Sequence, residues 1–263
     1  MSKSAPWKLS PSKFHFGFDN CQRCYCLDIK EGITQPGSFP GVFSKFDSIH
    51  KNFFIGQHTS EVLKDIPAGT FIKGPGDKFL ESELIEFDDP NMNCFISGKG
   101  DAFLELDDGS YAIIDFKTST IKDSVIWSYS TQLHAYKYAL ENNKSNKPGL
   151  APITRMGLLV FEPASMTKTD NESYNILHNA KWFEVPIDDH KFLTYVEKVA
   201  SVLAQSILPE ASSKCNFCKY RNLNILLFML PVLMTSFFDA SMESVRFPFV
   251  YYSFLGIILN NKI

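Results

Sequence analysis

Residues 95–117 constrain the fold most strongly, because their pattern predicts a β-hairpin with one favoured register. Two runs of alternating residues flank the turn Asp107-Asp108-Gly109. A three-residue turn places Asp101 directly opposite Asp115, whereas a two-residue turn would pair Asp101 with Phe116 and separate the two carboxylates. Only the three-residue register also collects the small and apolar side chains on one face, namely Ala102, Leu104, Leu106, Ala112, Ile114 and Phe116. The sequence therefore favours the register in which the two aspartates face each other.

The facing aspartates and Lys117 predict a site for a divalent cation. Two carboxylates about 5 Å apart across a ladder repel each other, and such a pair persists when a proton or a cation lies between them. Lys117 is two residues beyond Asp115 and therefore projects from the same face. Mg²⁺ binds through one or two carboxylates, and a cation beside a lysine suits phosphodiester chemistry. The alternative interpretation is a solvated hairpin face that carries ordinary surface charges.

A helix predicted over 130–142 adds Gln132 and Tyr136, which are four residues apart and share one helical face. With these residues the chain resembles the RecB-like branch of the PD-(D/E)xK nuclease superfamily. The family pattern is Gly-x-x-Asp, then hydrophobic-Asp-x-Lys-Thr, then Gln-x-x-x-Tyr. It is matched here by Gly98 with Asp101, by residues 114–118, and by Gln132 with Tyr136. The resemblance implies an α/β, restriction-endonuclease-like fold, in which helices flank a mixed central sheet.

The resemblance also implies roles for five residues. Asp101 and Asp115 would bind Mg²⁺ or Mn²⁺, Lys117 would be catalytic, and Gln132 and Tyr136 would assist near the substrate strand. The substrate would be DNA, as single strands or duplex ends, and a helicase or repair protein would be the partner.

RecB-like nucleases usually carry an upstream His or Glu that completes the metal site. Glu83, on a short predicted strand before the hairpin, is the preferred third ligand. Glu81 shares its face, and His58 is the nearest histidine candidate, although its spacing differs from the family's. The main-chain carbonyl of Phe116 is a further candidate ligand. An exposed strand carboxylate is the alternative interpretation of Glu81 or Glu83.

Two Cys-x-x-Cys pairs predict a second metal site. Cys21 and Cys24 lie about 190 residues before Cys215 and Cys218. Two such pairs commonly close around Zn²⁺, and four thiolates equally suit an iron–sulfur cluster. RecB-like relatives, including AddB and CRISPR-associated exonucleases, join their chain ends with a [4Fe–4S] cluster held by one early and three late cysteines. The two-and-two arrangement departs from that pattern, which leaves Zn²⁺ as an alternative. The resemblance to the family implies [4Fe–4S].

Composition limits the mode of nucleic-acid binding. The 263 residues carry a net charge of −3 and contain no basic run, whereas nucleic-acid binders usually show a basic footprint. Binding would depend on a local groove and on the metal. The N-terminal residues lack the apolar core of a signal peptide, so we expect a reducing, cytoplasmic location.

The chain order predicts an α/β core. We expect an extended loop over 30–48, a helical stretch over 45–66, strands at 155–161 and 179–185 separated by a polar loop at 163–173, and a helix over 188–208.

A nuclease-like domain would occupy 1–221. Residues 222–263 form an apolar tail with two runs too short to span a bilayer. The tail is compatible with buried helices, a membrane hairpin or an altered reading frame, and the abrupt change after Cys218 favours the last.

Two functions of different class fit these features. The first is a metal-dependent deoxyribonuclease, and the second is a non-catalytic nucleic-acid-binding module of the same fold. A membrane-associated protein that acts through its tail is a third and less favoured alternative.

Overall fold

A computed structural model of the chain describes residues 6–35, 40–75 and 78–221. The predicted apolar tail, residues 222–263, lies outside the described residues. Within the described ranges, no helix combines the length and the apolar character needed to cross a membrane.

The described chain alternates between strands and helices. Its main helices are α1 (Gln22–Glu31), α2 (Gly41–Phe54), α3 (Val125–Glu141) and α4 (Asp189–Ala204). Its strands are β1 (Trp7–Leu9), β2 (Gly69–Ile72), β3 (Leu80–Glu81), β4 (Cys94–Gly98), β5 (Ala102–Leu106), β6 (Tyr111–Thr118), β7 (Ile153–Lys168) and β8 (Tyr174–Glu184). This composition confirms the predicted α/β class.

The strands form two sheets of mixed direction. The larger sheet has the order β2-β5-β6-β7-β8, and the smaller has the order β1-β4-β3. The β6–β7 and β1–β4 pairs are parallel, whereas the other pairs are antiparallel. The parallel β6–β7 pair requires a crossover connection, and α3 supplies it. The result is a restriction-endonuclease-like arrangement of a mixed sheet flanked by helices, as predicted.

Helices cover both faces of the larger sheet. On one face, the predicted apolar set of the hairpin is buried in a cluster with Phe54 of α2 and Phe71 of β2. On the other face, Phe103 and Ile113 pack in a second cluster with Leu133 of α3 and Val196 of α4. Because side chains alternate along a strand, the hairpin contributes to both clusters. Residues on the Phe103 face therefore point towards α3.

The hairpin register is confirmed. Ala102 pairs with Ile114, and Glu105 pairs with Tyr111, which is the ladder that a three-residue turn requires. The predicted strand over 97–106, however, is two strands in different sheets, since β4 ends at Gly98 and β5 begins at Ala102. Asp101 consequently lies where the chain crosses from one sheet to the other.

The boundaries predicted for α2 and for the β7–β8 pair were among those that were wrong. The helix expected over 45–66 is α2, which begins at Gly41 inside the expected loop. It ends at Phe54, and Gly56 follows with φ +84°, a conformation that glycine adopts readily. The expected polar loop at 163–173 is mostly strand, because β7 and β8 continue as an antiparallel pair to Lys168 and Tyr174.

Candidate functional site

Asp101 and Asp115 lie together at one end of the hairpin. The Phe116 main-chain N–H donates to Asp101 Oδ2 at 3.3 Å, which fixes the Asp101 carboxylate beside β6. The Asp115 side chain is only 1% exposed and that of Asp101 is 18% exposed. The structure therefore brings together the two carboxylates that the register predicted would face each other.

Burial makes this pair electrostatically costly. The pKa of Asp101 is raised to about 7, first by its burial and then by the charge of Asp115. The ammonium groups of Lys51 and Lys117 act in the opposite direction. A buried carboxyl group whose pKa is raised to near 7 beside a second carboxylate is typical of a site that takes up a proton or a cation.

Lys117 lies on the same face as Asp115. Its Nζ is 2.5 Å from Asp115 Oδ2 and 4.2 Å from the centre of the Tyr129 ring. Burial alone would lower the pKa of Lys117, but the two carboxylates outweigh it and raise that pKa to about 12. Lys117 therefore carries a positive charge at neutral pH.

Gln132 and Tyr136 of α3 reach the carboxylate pair from the helical side. Gln132 Nε2 lies 3.1 Å from Asp115 Oδ1, to which it donates, and 3.2 Å from the Tyr136 hydroxyl oxygen. Burial, and then the charges of Asp115 and Asp101, raises the pKa of Tyr136, so its hydroxyl is neutral. The spacing of four residues thus places both side chains at the site, as the predicted helical face required.

Helix α2 adds three side chains that the sequence pattern alone did not identify. Lys51 Nζ lies 2.8 Å from Asp47 Oδ2 and 3.0 Å from Asp101 Oδ1, which joins the helix to the carboxylate pair. His50 is buried, with its ring stacked 4.2 Å from that of Phe161. The signal is the spacing of Asp47, His50 and Lys51, which share a face only in a helix. The helix predicted over 45–66 contains all three residues, but the sequence pattern gave no reason to place that helix beside the carboxylates.

A cavity of about 410 Å³ opens onto these groups, and Asp47, His50, Asp101, Lys117 and Tyr129 are among the residues that line it. Burial lowers the pKa of His50, which favours the neutral imidazole that binds metals. Side chains from α2, the hairpin and α3 therefore converge on one concave surface.

The predicted third ligand points elsewhere. Glu83 Oε1 accepts a hydrogen bond from the Ser145 N–H at 3.2 Å, beyond the C-terminal end of α3. Gln132, which marks the carboxylate site, lies about 14 Å from that end along the helix. The alternative Glu81 forms ion pairs with Lys144 and Lys147. The main chain of residues 81–83 is bonded to the 142–144 segment, so the short strand carries both carboxylates away from Asp101.

His58 lies at the opposite end of the hairpin. Its Nε2 is 3.2 Å from Asp107 Oδ1 in the turn, whereas Asp101 and Asp115 lie at the end remote from that turn. His58 and the two aspartates therefore lie at opposite ends of the hairpin.

The donor set at the carboxylate site fits a hard divalent cation. Asp115 Oδ2 is buried and, among the described residues, accepts no hydrogen bond. Its close partner is the Lys117 ammonium, which forms an ion pair with it. Carboxylate oxygens of this kind suit Mg²⁺ or Mn²⁺, and a neutral imidazole is an additional ligand for Mn²⁺.

The four predicted cysteines are grouped. The sulfur atoms of Cys21, Cys24, Cys215 and Cys218 all lie within 4.8 Å of one another, and all four residues are buried. Cys21 is the N-cap of α1 and Cys24 lies in its first turn, where the helix dipole favours thiolates. The set fits either Zn²⁺ or an iron–sulfur cluster. Cys94 lies in the core, where burial raises the pKa of its thiol to about 12, so it is a packed thiol and not part of this group.

Comparison with known proteins identifies a family. Residues 59–223 match the family model described as "PD-(D/E)XK nuclease superfamily". The crystal structure of SSO0001 is similar, with a TM-score of 0.46 and 14% sequence identity over 82% of this chain and 84% of that chain. No curated protein matches the sequence. The family match spans more than half of the chain and includes Asp101, Asp115, Lys117, Gln132 and Tyr136. The chain therefore belongs to the PD-(D/E)XK nuclease superfamily.

Proposed function

We propose that this protein is a metal-dependent deoxyribonuclease of the RecB-like branch. The observation that carries the proposal is the convergence of Asp101, Asp115 and Lys117 beside Gln132 and Tyr136. The hydrogen bond from Gln132 to Asp115 gives the Gln-x-x-x-Tyr pair a direct role at the carboxylates, and this contact supports the RecB-like assignment. A helicase or repair partner stays an expectation from the resemblance.

Asp101 and Asp115 would hold Mg²⁺ or Mn²⁺. His50 is our proposed third protein ligand in place of Glu83, because it lines the same cavity as Asp101 and burial favours its neutral form. When bound, the cation would supply a more acidic water and would stabilise negative charge at the phosphate. Gln132 keeps Asp115 oriented, since its amide occupies Oδ1 and leaves Oδ2 directed at the site.

Lys117 would act as a positively charged hydrogen-bond donor rather than as a general base. Its ammonium is stabilised by two carboxylates, so it is poised to donate hydrogen bonds to the attacking water or to a phosphate oxygen. In the hydrolysis, the water oxygen forms a bond to phosphorus while one phosphorus–ester oxygen bond breaks. The water releases a proton to solvent, and the departing oxygen acquires one.

The test is Mn²⁺-dependent cleavage of single- and double-stranded DNA by the wild type and by Lys117→Ala. We expect the variant to lose about 10²- to 10³-fold in kcat, which is typical of removing one group that stabilises transition-state charge. Lys122→Ala is a matched control, because Lys122 is exposed and the side-chain contacts of Asp115 are made by Lys117 and Gln132. Equal activity of wild type and Lys117→Ala would show that Lys117 has no role in catalysis.

A second function is favoured by one observation. Lys51 and Lys117 already place an ammonium group on each carboxylate of the pair, so the pair is partly neutralised by the protein itself. A non-catalytic nucleic-acid-binding module would have this property. Binding of DNA by a wild-type protein that shows no hydrolysis with Mg²⁺ or Mn²⁺ would select it.

We also propose that the cysteine group holds a [4Fe–4S] cluster, as in the AddB-type and CRISPR-associated exonucleases that the sequence resembles. Zn²⁺ is the alternative, because a buried group of four cysteine sulfurs is a common donor set for either. The cluster would have a structural role, since it would join Cys21 and Cys24 to cysteines about 190 residues later in the sequence.

A further inference from the structure

A second cavity, of about 730 Å³, lies beside the smaller sheet. Lys8, Phe79, Lys99 and Tyr136 are among the residues that line it. Lys8 belongs to β1, Lys99 directly follows β4, and Phe79 directly precedes β3. Leu80 pairs with Gly98 in the antiparallel ladder of β3 and β4, so Phe79 and Lys99 are the next residues beyond that pair.

Phe79 is an exposed aromatic ring flanked by positive charge. Its residue is 53% exposed, although burial is the usual state of a phenylalanine. Lys99 Nζ lies 5.0 Å from the ring centre, and Lys8 Nζ lies 5.6 Å from it. Among the described residues, neither lysine has a carboxylate partner within ion-pair distance, so both ammonium groups are available to an anion.

Tyr136 belongs to both the cavity and the carboxylate site. Tyr136 lines the cavity, and its hydroxyl meets the Gln132 amide that donates to Asp115. Gly98 makes this approach feasible, because a Cβ there would lie 2.8 Å from Pro11 Cδ and 3.3 Å from Tyr136 Cε1. A polymer bound in the cavity would therefore contact a residue that is one hydrogen bond from the Gln132–Asp115 pair.

The chemistry of the cavity matches a single-stranded polyanion. The whole chain carries a charge of −3, so overall charge does not attract nucleic acid, and a local site must do so. An exposed ring that stacks on a base, with lysines that contact the adjoining phosphates, is the usual combination in single-strand binding. A duplex keeps its base faces stacked on each other and offers none to Phe79.

We propose that Phe79, Lys8 and Lys99 form a stacking platform for one base of a single-stranded nucleic acid. The inference rests on the proposed nuclease function, and it extends that function by adding a subsite away from the carboxylates. Phe79 would stack on the base, and the two lysines would contact the flanking phosphates. The strand would continue past Tyr136 towards Asp115.

The test measures binding in EDTA, so that hydrolysis does not interfere. Fluorescence anisotropy of labelled oligothymidylate is compared for wild type, Phe79→Ala, Phe79→Trp and Phe53→Ala. Phe53 is a matched control, because it is 63% exposed and lies on α2, away from the cavity. We expect Phe79→Ala to raise Kd by about 5- to 100-fold, the usual cost of removing one aromatic ring that stacks on a base. Phe79→Trp and Phe53→Ala should stay within about twofold of wild type, since the first keeps a stacking ring and the second is remote.

The lysines are tested by salt dependence. Lys8→Gln with Lys99→Gln should reduce the slope of log K against log salt by about 1.4, because each phosphate of a single strand that a lysine neutralises adds about 0.7 to that slope. Oligouridylate and a duplex of equal length are measured in parallel. Both single strands should depend on Phe79, whereas any binding of the duplex should not.

Several results would overturn the platform. They are an unchanged Kd for Phe79→Ala, an equal loss for Phe53→Ala, the same dependence on Phe79 for the duplex, or no single-strand binding by the wild type. Cleavage is assayed separately on the wild type. A protein that hydrolyses DNA but binds independently of Phe79 loses only the platform. Conversely, binding that depends on Phe79 in a protein that does not cleave rejects only the nuclease proposal.

Discussion

Asp101 and Asp115 show how single residues acquire function from their surroundings. Neither carboxylate is unusual by itself, but the ladder of the hairpin brings them together, and the surrounding elements bury Asp115 and most of Asp101. Burial and mutual repulsion then hold a proton on Asp101 to about neutral pH. The same conditions favour a divalent cation, which replaces that proton.

Metal affinity should therefore depend on pH. Because the pKa of Asp101 is raised to about 7, the protonated form predominates below pH 7 and competes with the cation. We expect Mn²⁺ binding to be about tenfold weaker at pH 6 than at pH 8, as one proton competing for the site requires. Calorimetric titration at the two pH values measures this ratio. Asp101→Asn is the control, and it should bind weakly with little change between pH 6 and pH 8. A wild-type affinity that does not vary with pH would contradict the assignment of Asp101.

The third ligand is tested by a pair of substitutions. His50→Asn should weaken Mn²⁺ binding by about tenfold or more, because even residues that only orient metal ligands contribute this much. Glu83→Gln should leave the affinity unchanged, since Glu83 is bonded to Ser145. Both affinities are measured by the quenching of protein fluorescence with Mn²⁺. The opposite result would restore Glu83 as the ligand.

At the scale of elements, the crossing between the two sheets positions the site. The alternation over 97–106 predicted one strand, but Gly98 ends β4 and Asp101 precedes β5. Alternation reports which side chains share a face, and it does not report where a strand leaves one sheet for another. Two close contacts determine this crossing. Gly98 packs under Pro11 and Tyr136, and Gly100 packs against Phe103.

The crossing predicts a specific sensitivity at Gly98. Gly98→Ala should lower the free energy of unfolding by about 1–3 kcal/mol, the usual cost of an added methyl group in a packed site. Gly41→Ala at the start of α2 should be near neutral, because nothing lies within 4 Å of a Cβ there. Urea unfolding of both variants gives the comparison. Equal stability of the two variants would show that Pro11 and Tyr136 move aside without cost.

At the scale of the whole molecule, the four grouped cysteines come from two parts of the described chain that are far apart in the sequence. Cys21 and Cys24 lie at the start of α1, whereas Cys215 and Cys218 follow α4. A metal centre that joins such distant positions restricts the unfolded chain more than a local one does. The centre should therefore contribute to stability as well as to the local arrangement of the thiolates.

Removal of the metal should lower the melting temperature. Protein purified without oxygen should be brown if it holds [4Fe–4S] and colourless if it holds Zn²⁺, and metal analysis identifies the element. Cys24→Ser should lose the metal and lower Tm by roughly 5 °C or more, because structural metal sites contribute folding free energy directly. Cys94→Ser is the control, and it should keep the metal because Cys94 lies in the core. Metal content unaffected by Cys24→Ser would contradict the site.

Local patterns in the sequence were sufficient for the register of the hairpin, the facing aspartates, the position of Lys117 and the Gln132–Tyr136 face. Each of these depends on the period of a strand or a helix over a few residues, and the order of polar and apolar side chains along the segment shows that period. Only the tertiary structure decided that α2 carries His50 and Lys51 to the site and that Glu83 and His58 lie elsewhere. Those positions depend on how distant elements pack against the two faces of the sheet, and no local period records such packing.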